Sequence, residues 1–405
     1  MSRRLLFISN LFPDASEPIR GLDNATLLHG LADREGYDIR VLSLRPRLSF
    51  RATGAPLALA PRAEDAAFSP GYLPARYIPR IGSRWNDLLM RRDLAPAFDR
   101  TIRTFRPDIV LASWLYPDGC AVAPLCRDAR TPLVLITQGT DTHAYLRDPV
   151  RRKKIVTALA LSRATICRSG DLAKQLGQAG ADESKLEVVY NGVDTAVFLP
   201  RPRGETRSGL GLDPGGPLLL FVGNLLPVKD PLFLVKAVAE ANRRLAVAEA
   251  NRRLAVAGKR PIHLRMIGDG PMRAEIEREI AQRGAAETIR LLGRQSPAEV
   301  ARWMSAADRL CLSSVNEGFP NVILEAMASG LPVISTRVGG IAEKIDRPSR
   351  GRLVAPGDFE GYVAAILEAP DAPPAGDRLS EEDPGWATAV RRYREILDAA
   401  LSADA

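Results

Sequence analysis

Long hydrophobic runs are missing from this 405-residue chain. No apolar stretch approaches the roughly 18 residues that a membrane-crossing helix needs. Basic residues precede Leu5–Ile8, but that run is too short for the apolar core of a secretion signal, so the start reads as a first strand. Aromatic residues are scarce, at 6%, and no zinc-finger, RNA-recognition or helix-turn-helix pattern occurs. Nucleic acid is therefore not the expected partner, although a formal net charge of +8 calls for something anionic. The four cysteines, Cys120, Cys126, Cys167 and Cys311, show neither CxxC nor metal-ligand spacing; they read as buried thiols of a cytoplasmic protein without a metal centre. Histidine is rarer still. His29 falls in a helical pattern and His263 in a strand, while His143 lies in a polar cluster where a general base would lack a partner.

What is present is an alternation of strand-like and helix-like segments, long enough for two hydrophobic cores. Strands are expected at Arg4–Ser9, Tyr37–Leu44, Asp108–Ser113, Pro132–Thr137 and Ala164–Arg168, with helices near Asn24–Glu35 and Asn86–Phe105. Residues 45–82 carry many prolines and no clear period. A Pro/Arg/Gly-rich stretch after Asp194 marks the domain boundary near residue 195. The basic clusters Arg45–Arg51, Arg91–Arg92 and Arg151–Lys154 read as solvated faces, or as contacts to an anionic membrane surface or a phosphate-bearing acceptor.

The second half is more regular. Leu218–Val222 ends in Gly223-Asn224, His263–Ile267 in Gly268–Pro271, Ile289–Leu292 in Gly293, and Val333–Thr336 runs into Gly339-Gly340. Several glycine-bearing loops at one sheet edge, together with Lys229, suit a nucleotide diphosphate, because backbone can approach phosphate closely there. Between two of these strands lies Glu317–Gly330, EGFPNVILEAMASG, which reads as strand, loop, helix, strand, with Pro320 at the first helical position and Gly330 as the left-handed stop. Carboxylates beside a helix N-terminus repel phosphate, so Glu317 and Glu325 suit the hydroxyls of a sugar or ribose next to it. The plainer alternative is a solvated loop charge and a first-turn charge that favours the helix. In the same half, AVAEANRRL at Ala237–Leu245 is repeated unchanged at Ala246–Leu254. Nine residues advance a helix by about two and a half turns, so both copies cannot bury the same face, and the second is expected to project as extra helix or to loop out.

Taken together, VYNGVD, VGNLLPVKD, MIGDGP, EGFPNVILEAMASGLPVIST, VGG and GRLVAPGD resemble the group 1 glycosyltransferases, the retaining family 4. PIRG and QGTD in the first half resemble the branch acting in teichuronic-acid and exopolysaccharide assembly. The resemblance implies an α/β protein of GT-B fold, with two Rossmann-like domains facing across a cleft: an acceptor-binding domain at 1–195, a donor-binding domain at 196–380, and a C-terminal helix in 381–405 returning to the first domain.

It also implies roles. Glu325 would accept from ribose hydroxyls and Glu317 from the transferred sugar, with Lys229 on the phosphates and Asp141 on the acceptor or sugar. Gly21, Asn224, Gly268, Gly318, Phe319, Pro320 and Asn321 complete the donor-binding set, Pro320 offering no N–H; Asn224 stands where many members carry arginine, and Gln138 where many carry histidine. The implied reaction moves a sugar from a UDP- or GDP-sugar to a glycan or lipid-linked hydroxyl with retention, without metal or cofactor, at the cytoplasmic side of a membrane or peripheral to it. Two alternatives stay open: a UDP-sugar epimerase of the same fold, and a non-catalytic nucleotide-sugar-binding protein.

Overall fold

The computed structural model describes residues 2–48, 57–251, 260–368 and 385–402. The chain divides into two compact units, residues 1–192 with 386–405, and residues 193–385. The expected boundary at 380 lies outside the described residues.

The first unit is built on strands β1 (Arg4–Ser9), β2 (Asp38–Arg47), β3 (Gly71–Arg76), β4 (Ile109–Ser113), β5 (Leu133–Thr137), β6 (Ala164–Cys167) and β7 (Leu186–Val188). They form one parallel sheet in the order β3-β2-β1-β4-β5-β6-β7. Side chains alternate between its faces, as the strand repeat of two requires: Leu6 and Ile8 enter one core, Leu5 and Phe7 the other. The second core is closed by the last helix, Trp386–Ser402, whose Val390, Tyr393 and Leu397 pack with Leu28 and Leu31 of helix Leu22–Glu35. Gly30 permits this approach, since a Cβ there would stand 2.3 Å from Val390 Cγ2.

The second unit has β8 (Leu218–Val222), β9 (His263–Ile267), β10 (Ile289–Gly293), β11 (Arg309–Leu312), β12 (Val333–Thr336) and β13 (Gly351–Val354), parallel in the order β10-β9-β8-β11-β12-β13. Leu219 and Phe221 enter one core, Leu218 and Leu220 the other. At the edge opposite the glycine loops a buried ionic cluster anchors the unit: Asp308 pairs with Arg207 at 2.9 Å and with Arg203, and accepts from the backbone N–H of Leu218 at 2.6 Å.

Three local readings change. β3 forms inside the proline-rich stretch without a clear period; Pro74 is tolerated because the strand lies at the sheet edge, where one side needs no donor. Arg45 is not on a solvated face: it is buried, donates to the Phe12 carbonyl and pairs with Asp14 at 2.7 Å. Pro320 precedes the helix Asn321–Ala328 as its cap, with an extended ψ of 119°, rather than serving as its first residue. The repeat falls in the helix Pro231–Asn251. Ala237 and Val238 of the first copy are fully buried, whereas Ala246 and Val247, their counterparts in the second, are exposed. Residues 252–254 of the second copy lie outside the described residues, as do the side chains of 248–251.

Candidate functional site

In both sheets successive strands are added in one direction, and the order then reverses from the starting strand, between β1 and β4 in the first unit and between β8 and β11 in the second. Loops leaving the carboxyl ends of such neighbours diverge and open a crevice. The loops after β8 and β11 meet at the second of these places. Val315 N–H donates to the Val228 carbonyl at 2.9 Å, and Ser313 Oγ donates to the carbonyls of Lys229 and Asp230 at 2.9 and 2.8 Å. These contacts hold Lys229 beside Glu317, with Nζ 2.5 Å from a carboxylate oxygen that also accepts from Ser314 Oγ at 2.6 Å. Both side chains are partly open to solvent, 23% for Lys229 and 10% for Glu317, so the cation remains available to an incoming anion.

Glycine is required around this pair. Gly339 has φ 54°, and a Cβ there would lie 1.9 Å from the Glu317 carbonyl oxygen. Gly268, at φ 135°, would meet the Gly223 carbonyl oxygen at 1.9 Å, and Gly270 the Leu225 carbonyl at 2.5 Å. The loops after β8, β9, β11 and β12 are thus packed backbone to backbone. Asn224, just after β8, is exposed. Gly318, Phe319 and Pro320 lead into the helix Asn321–Ala328, where Phe319 packs on the core and the Gly318 carbonyl accepts from Gly340 N–H at 3.0 Å.

Glu325 is the fifth residue of that helix. Among the described residues no hydrogen bond or ion pair reaches its carboxyl group. Burial alone pushes its pKa from 4.5 up to about 7. A largely buried carboxyl without donors is costly when ionised, even where part of the residue reaches solvent. Such a group is completed by a ligand that brings hydroxyl or N–H donors.

The corresponding crevice of the first unit is filled by its own hydrogen bonds. Asp141 is fully buried and accepts from the N–H groups of Leu115 (2.8 Å), Gln138 (3.0 Å) and Gly139 (2.8 Å) and from Thr137 Oγ1 (2.9 Å). Burial raises its pKa despite these donors. This carboxylate shapes the loop after β5 and leaves Gln138 to face Asn24 and Ser113, to which its amide donates at 3.1 and 2.5 Å. Gly21, at φ 61°, caps the helix Leu22–Glu35, and a Cβ there would strike the Leu11 backbone at 2.3 Å. His143 lies against Gln175, Nδ1 to Nε2 2.8 Å, and 3.5 Å from Asp171.

Five residues that sequence reasoning missed organise this crevice. Asp118, wholly buried, accepts from Asn10 N–H at 2.6 Å and Asn10 Nδ2 at 2.8 Å; burial raises its pKa to about 7. Arg168 pairs with Asp23 and donates to Asn24 at 2.8 Å. Asn10 and Asp118 are separated by 108 positions, Asn24 and Arg168 by 144. Polar residues ending β1, β4 and β6 were the available signal. Elsewhere, among the described residues, no three His, Cys, Asp or Glu side chains gather as metal ligands.

Two Rossmann-like parallel domains in one chain, each with polar residues gathered at its switch point, define an α/β protein of GT-B fold. Residues 202–385 match the family described as Glycosyl transferases group 1, and residues 24–197 the one described as Glycosyltransferase Family 4. Together the two matches span most of the chain, which is similar to the group 1 glycosyltransferases over its second half and to glycosyltransferase family 4 over its first.

A D-inositol 3-phosphate glycosyltransferase of Segniliparus rotundus is 30% identical over 270 residues, 64% of this chain and 56% of that protein. Another, of Catenulispora acidiphila, is 35% identical over 195 residues, 47% and 44% of the two chains. The chain spans about half the length of the curated relatives it matches. Among solved structures, Anabaena HepE in complex with UDP aligns with a TM-score of 0.72 at 18% identity, covering 98% of this chain and 100% of that one. Sucrose-phosphate synthase from Thermosynechococcus elongatus gives 0.76 at 18% identity, covering 99% and 100%. At such identity these structures speak for the fold alone.

Proposed function

We propose that the chain transfers a sugar from a nucleoside-diphosphate sugar to a hydroxyl of a glycan or lipid-linked acceptor, with retention at the anomeric carbon and without a metal, in the making of a surface polysaccharide. The observation that carries this reading is the Lys229–Glu317 pair, held at the β8/β11 switch point by interlocked glycine loops. Glu325, in the helix that follows, adds a carboxyl group lacking donors. One cation and two carboxylates match a ligand that joins phosphates to two sets of hydroxyls.

On binding, sugar hydroxyls would donate to Glu317 and release the Lys229 ammonium to the diphosphate. Lys229 then meets the charge that develops on the leaving phosphate, where a fixed cation gains most. The acceptor hydroxyl attacks from the face the phosphate leaves, and its proton passes to that phosphate. Glu325 accepts from the ribose hydroxyls, which supply the donors its buried carboxyl lacks. Asp141 serves in this scheme as a positioning residue, holding the Gln138 loop rather than touching the sugar. UDP in the HepE structure and the inositol-phosphate names of the curated relatives are consistent with a nucleotide-sugar donor and a polar acceptor.

The test is donor hydrolysis without acceptor. UDP-, GDP-, ADP- and dTDP-sugars are incubated with the protein, and the released sugar is followed by NMR. Release of the α-anomer from an α-linked donor is the expected result. An epimerised donor would point instead to the epimerase chemistry.

A further inference from the structure

Along strand β13 the second unit carries a pocket of about 420 Å³ that none of the chemistry above uses. Ile334 of β12 is in register with Cys311 of β11 and with Arg352 of β13. Arg309, two positions before Cys311, therefore shares with Arg352 the sheet face on which Ile334 lies. All three line the pocket, together with Ala365 of helix Phe359–Leu367 and Glu368 just after it. Arg309 is the first residue of β11, at the end of that strand away from the loop that carries Glu317. Four arginines line this pocket, and two of them are paired: Arg352 with Glu368, and Arg347 with Asp346 at 3.3 Å. The other two, Arg309 and Arg337, have no carboxylate within ion-pair distance among the described residues. Arg337 is exposed, whereas Arg309 is only 6% exposed. Among the described residues the Arg309 side chain makes one hydrogen bond, from Nη1 to the Asp308 carbonyl at 2.6 Å, which uses one of its five N–H donors. Burial lowers its pKa from 12.5. A guanidinium still stays charged at any ordinary pH, and a buried charge without a counter-ion is costly.

We propose that this pocket is a second ligand site, separate from the donor crevice, which binds a small organic oxyanion on an apolar body through Arg309 and Arg337. The lining selects the class. Its volume is that of a small-molecule site. Apart from the charged groups it is apolar, with Ile334, Leu353 and Ala365 among its walls, and it includes no hydroxyl, amide or imidazole side chain. A sugar or a nucleobase would bring hydroxyls and ring nitrogens for which such walls offer few partners, and each would go unsatisfied. An apolar body asks for no hydrogen bond. A carboxylate or phosphate group meets the planar fork of a guanidinium, which presents paired N–H donors to two oxygens at once. Asp346 and Glu368 do not cancel this attraction, since each already has an arginine of the same lining.

Ligand-observed NMR titration of the full chain at low salt tests this with phenyl phosphate and benzoate, which carry the two oxyanions on the same ring. Benzyl alcohol and inorganic phosphate supply the ring and the charge separately. At least one aromatic anion should bind roughly tenfold or more tighter than either half. A preference for phenyl phosphate or for benzoate supports the site and names its group. Arg309→Met keeps the length of the side chain and removes its charge, and should weaken binding roughly ten- to a hundredfold. Arg337→Glu should weaken it on the order of tenfold. Arg278→Glu makes the same charge change at an exposed residue outside the lining, and should leave affinity within about twofold. Lys229→Ala should also bind as wild type does, because the donor crevice is not the site. Melting curves check folding, and should Arg309→Met fail to fold, Arg337→Glu at an exposed position carries the test. Wild-type protein that binds neither aromatic anion overturns the proposal, as does unchanged binding by the folded Arg309 and Arg337 variants. A loss in Arg278→Glu equal to that in Arg337→Glu overturns it in favour of net charge, and a loss in Lys229→Ala overturns it in favour of the crevice. Anion binding is read separately from donor hydrolysis, so each can fail without the other.

Discussion

The two units place carboxylates at the same topological position and treat them in opposite ways. At the β1/β4 crevice, Asp118 and Asp141 have no exposed surface and are surrounded by N–H and O–H donors from their own loops. At the β8/β11 crevice, Glu317 holds a lysine that remains partly open to solvent, and Glu325 has no hydrogen-bond donor among the described residues. A carboxylate saturated by its own backbone fixes loop geometry, whereas one left short of donors is set for a ligand. Two domains of one topology can thus divide the work, one crevice supplying a rigid frame and the other the unmet bonding that recognises something from outside.

The largest effect that would test this contrast is on stability in the first unit. Asp141→Ala removes the acceptor of three buried N–H groups and a hydroxyl. Several orphaned donors at once should cost roughly 3–5 kcal/mol. Urea unfolding followed by tryptophan fluorescence reads mainly this unit, because Trp85, Trp114 and Trp386 of the four tryptophans lie in it. A loss below about 1 kcal/mol would mean that the carboxylate is not a frame residue.

Lys229→Ala should do the reverse. A partly exposed ion pair adds under about 1 kcal/mol to stability, yet loss of a cation aimed at developing charge should lower donor turnover roughly 10²–10³-fold. Unchanged turnover would remove Lys229 from the chemistry and with it the contrast between the crevices.

Glu325 gives a pH signature. Its pKa is raised in the fold from 4.5 to about 7, so the neutral form is the one the fold tolerates. The contribution to stability is complete below 4.5 and is lost as pH rises through about 7. Glu325→Gln, which never ionises, should match wild type near the low end of that window and exceed it by about 2–3 kcal/mol at the alkaline end. Donor use should fall ten- to a hundredfold at the same time, through loss of charge-assisted hydrogen bonds. Melting temperatures across the window, compared with hydrolysis rates, check both halves. A variant no more stable at alkaline pH would show that Glu325 already has donors.

Much of this was legible in the chain. The strand segments of both sheets repeat apolar residues over four to six positions between turn formers, and β1, β8, β9 and β12 fall where those patterns place them. The edge strands β3 and β13 escaped, one interrupted by Pro74 and the other only four residues long with Arg352 exposed. Lys229, Glu317 and Glu325 stood out because they sit in short glycine-rich motifs, where spacing carries the chemistry. The Asn10–Asp118 and Asn24–Arg168 contacts did not, because each joins loops more than 100 residues apart that only the sheet order brings together. Arg45 was misread for the same reason: its partner Asp14 lies 31 positions upstream, and a basic cluster looks solvated until the fold supplies an acid.

The repeat in helix Pro231–Asn251 carries the contrast to its limit, because there the sequence is identical and only the environment differs. Nine residues turn the helix by about half a revolution beyond two full turns. Val238 is accordingly buried, while Val247, its copy, is 47% exposed. Val238→Ala removes two methyl groups from a packed core and leaves a small cavity, a loss of about 2 kcal/mol. Val247→Ala removes the same atoms from a surface already in water, and should change stability by less than about 0.5 kcal/mol. Chemical unfolding of the two variants measures the difference directly. Equal losses would mean that the second copy finds a covering surface of its own. Unequal losses would show that a nonapeptide has no intrinsic burial, and that the same valine stabilises or does nothing according to which way the helix has turned when it arrives.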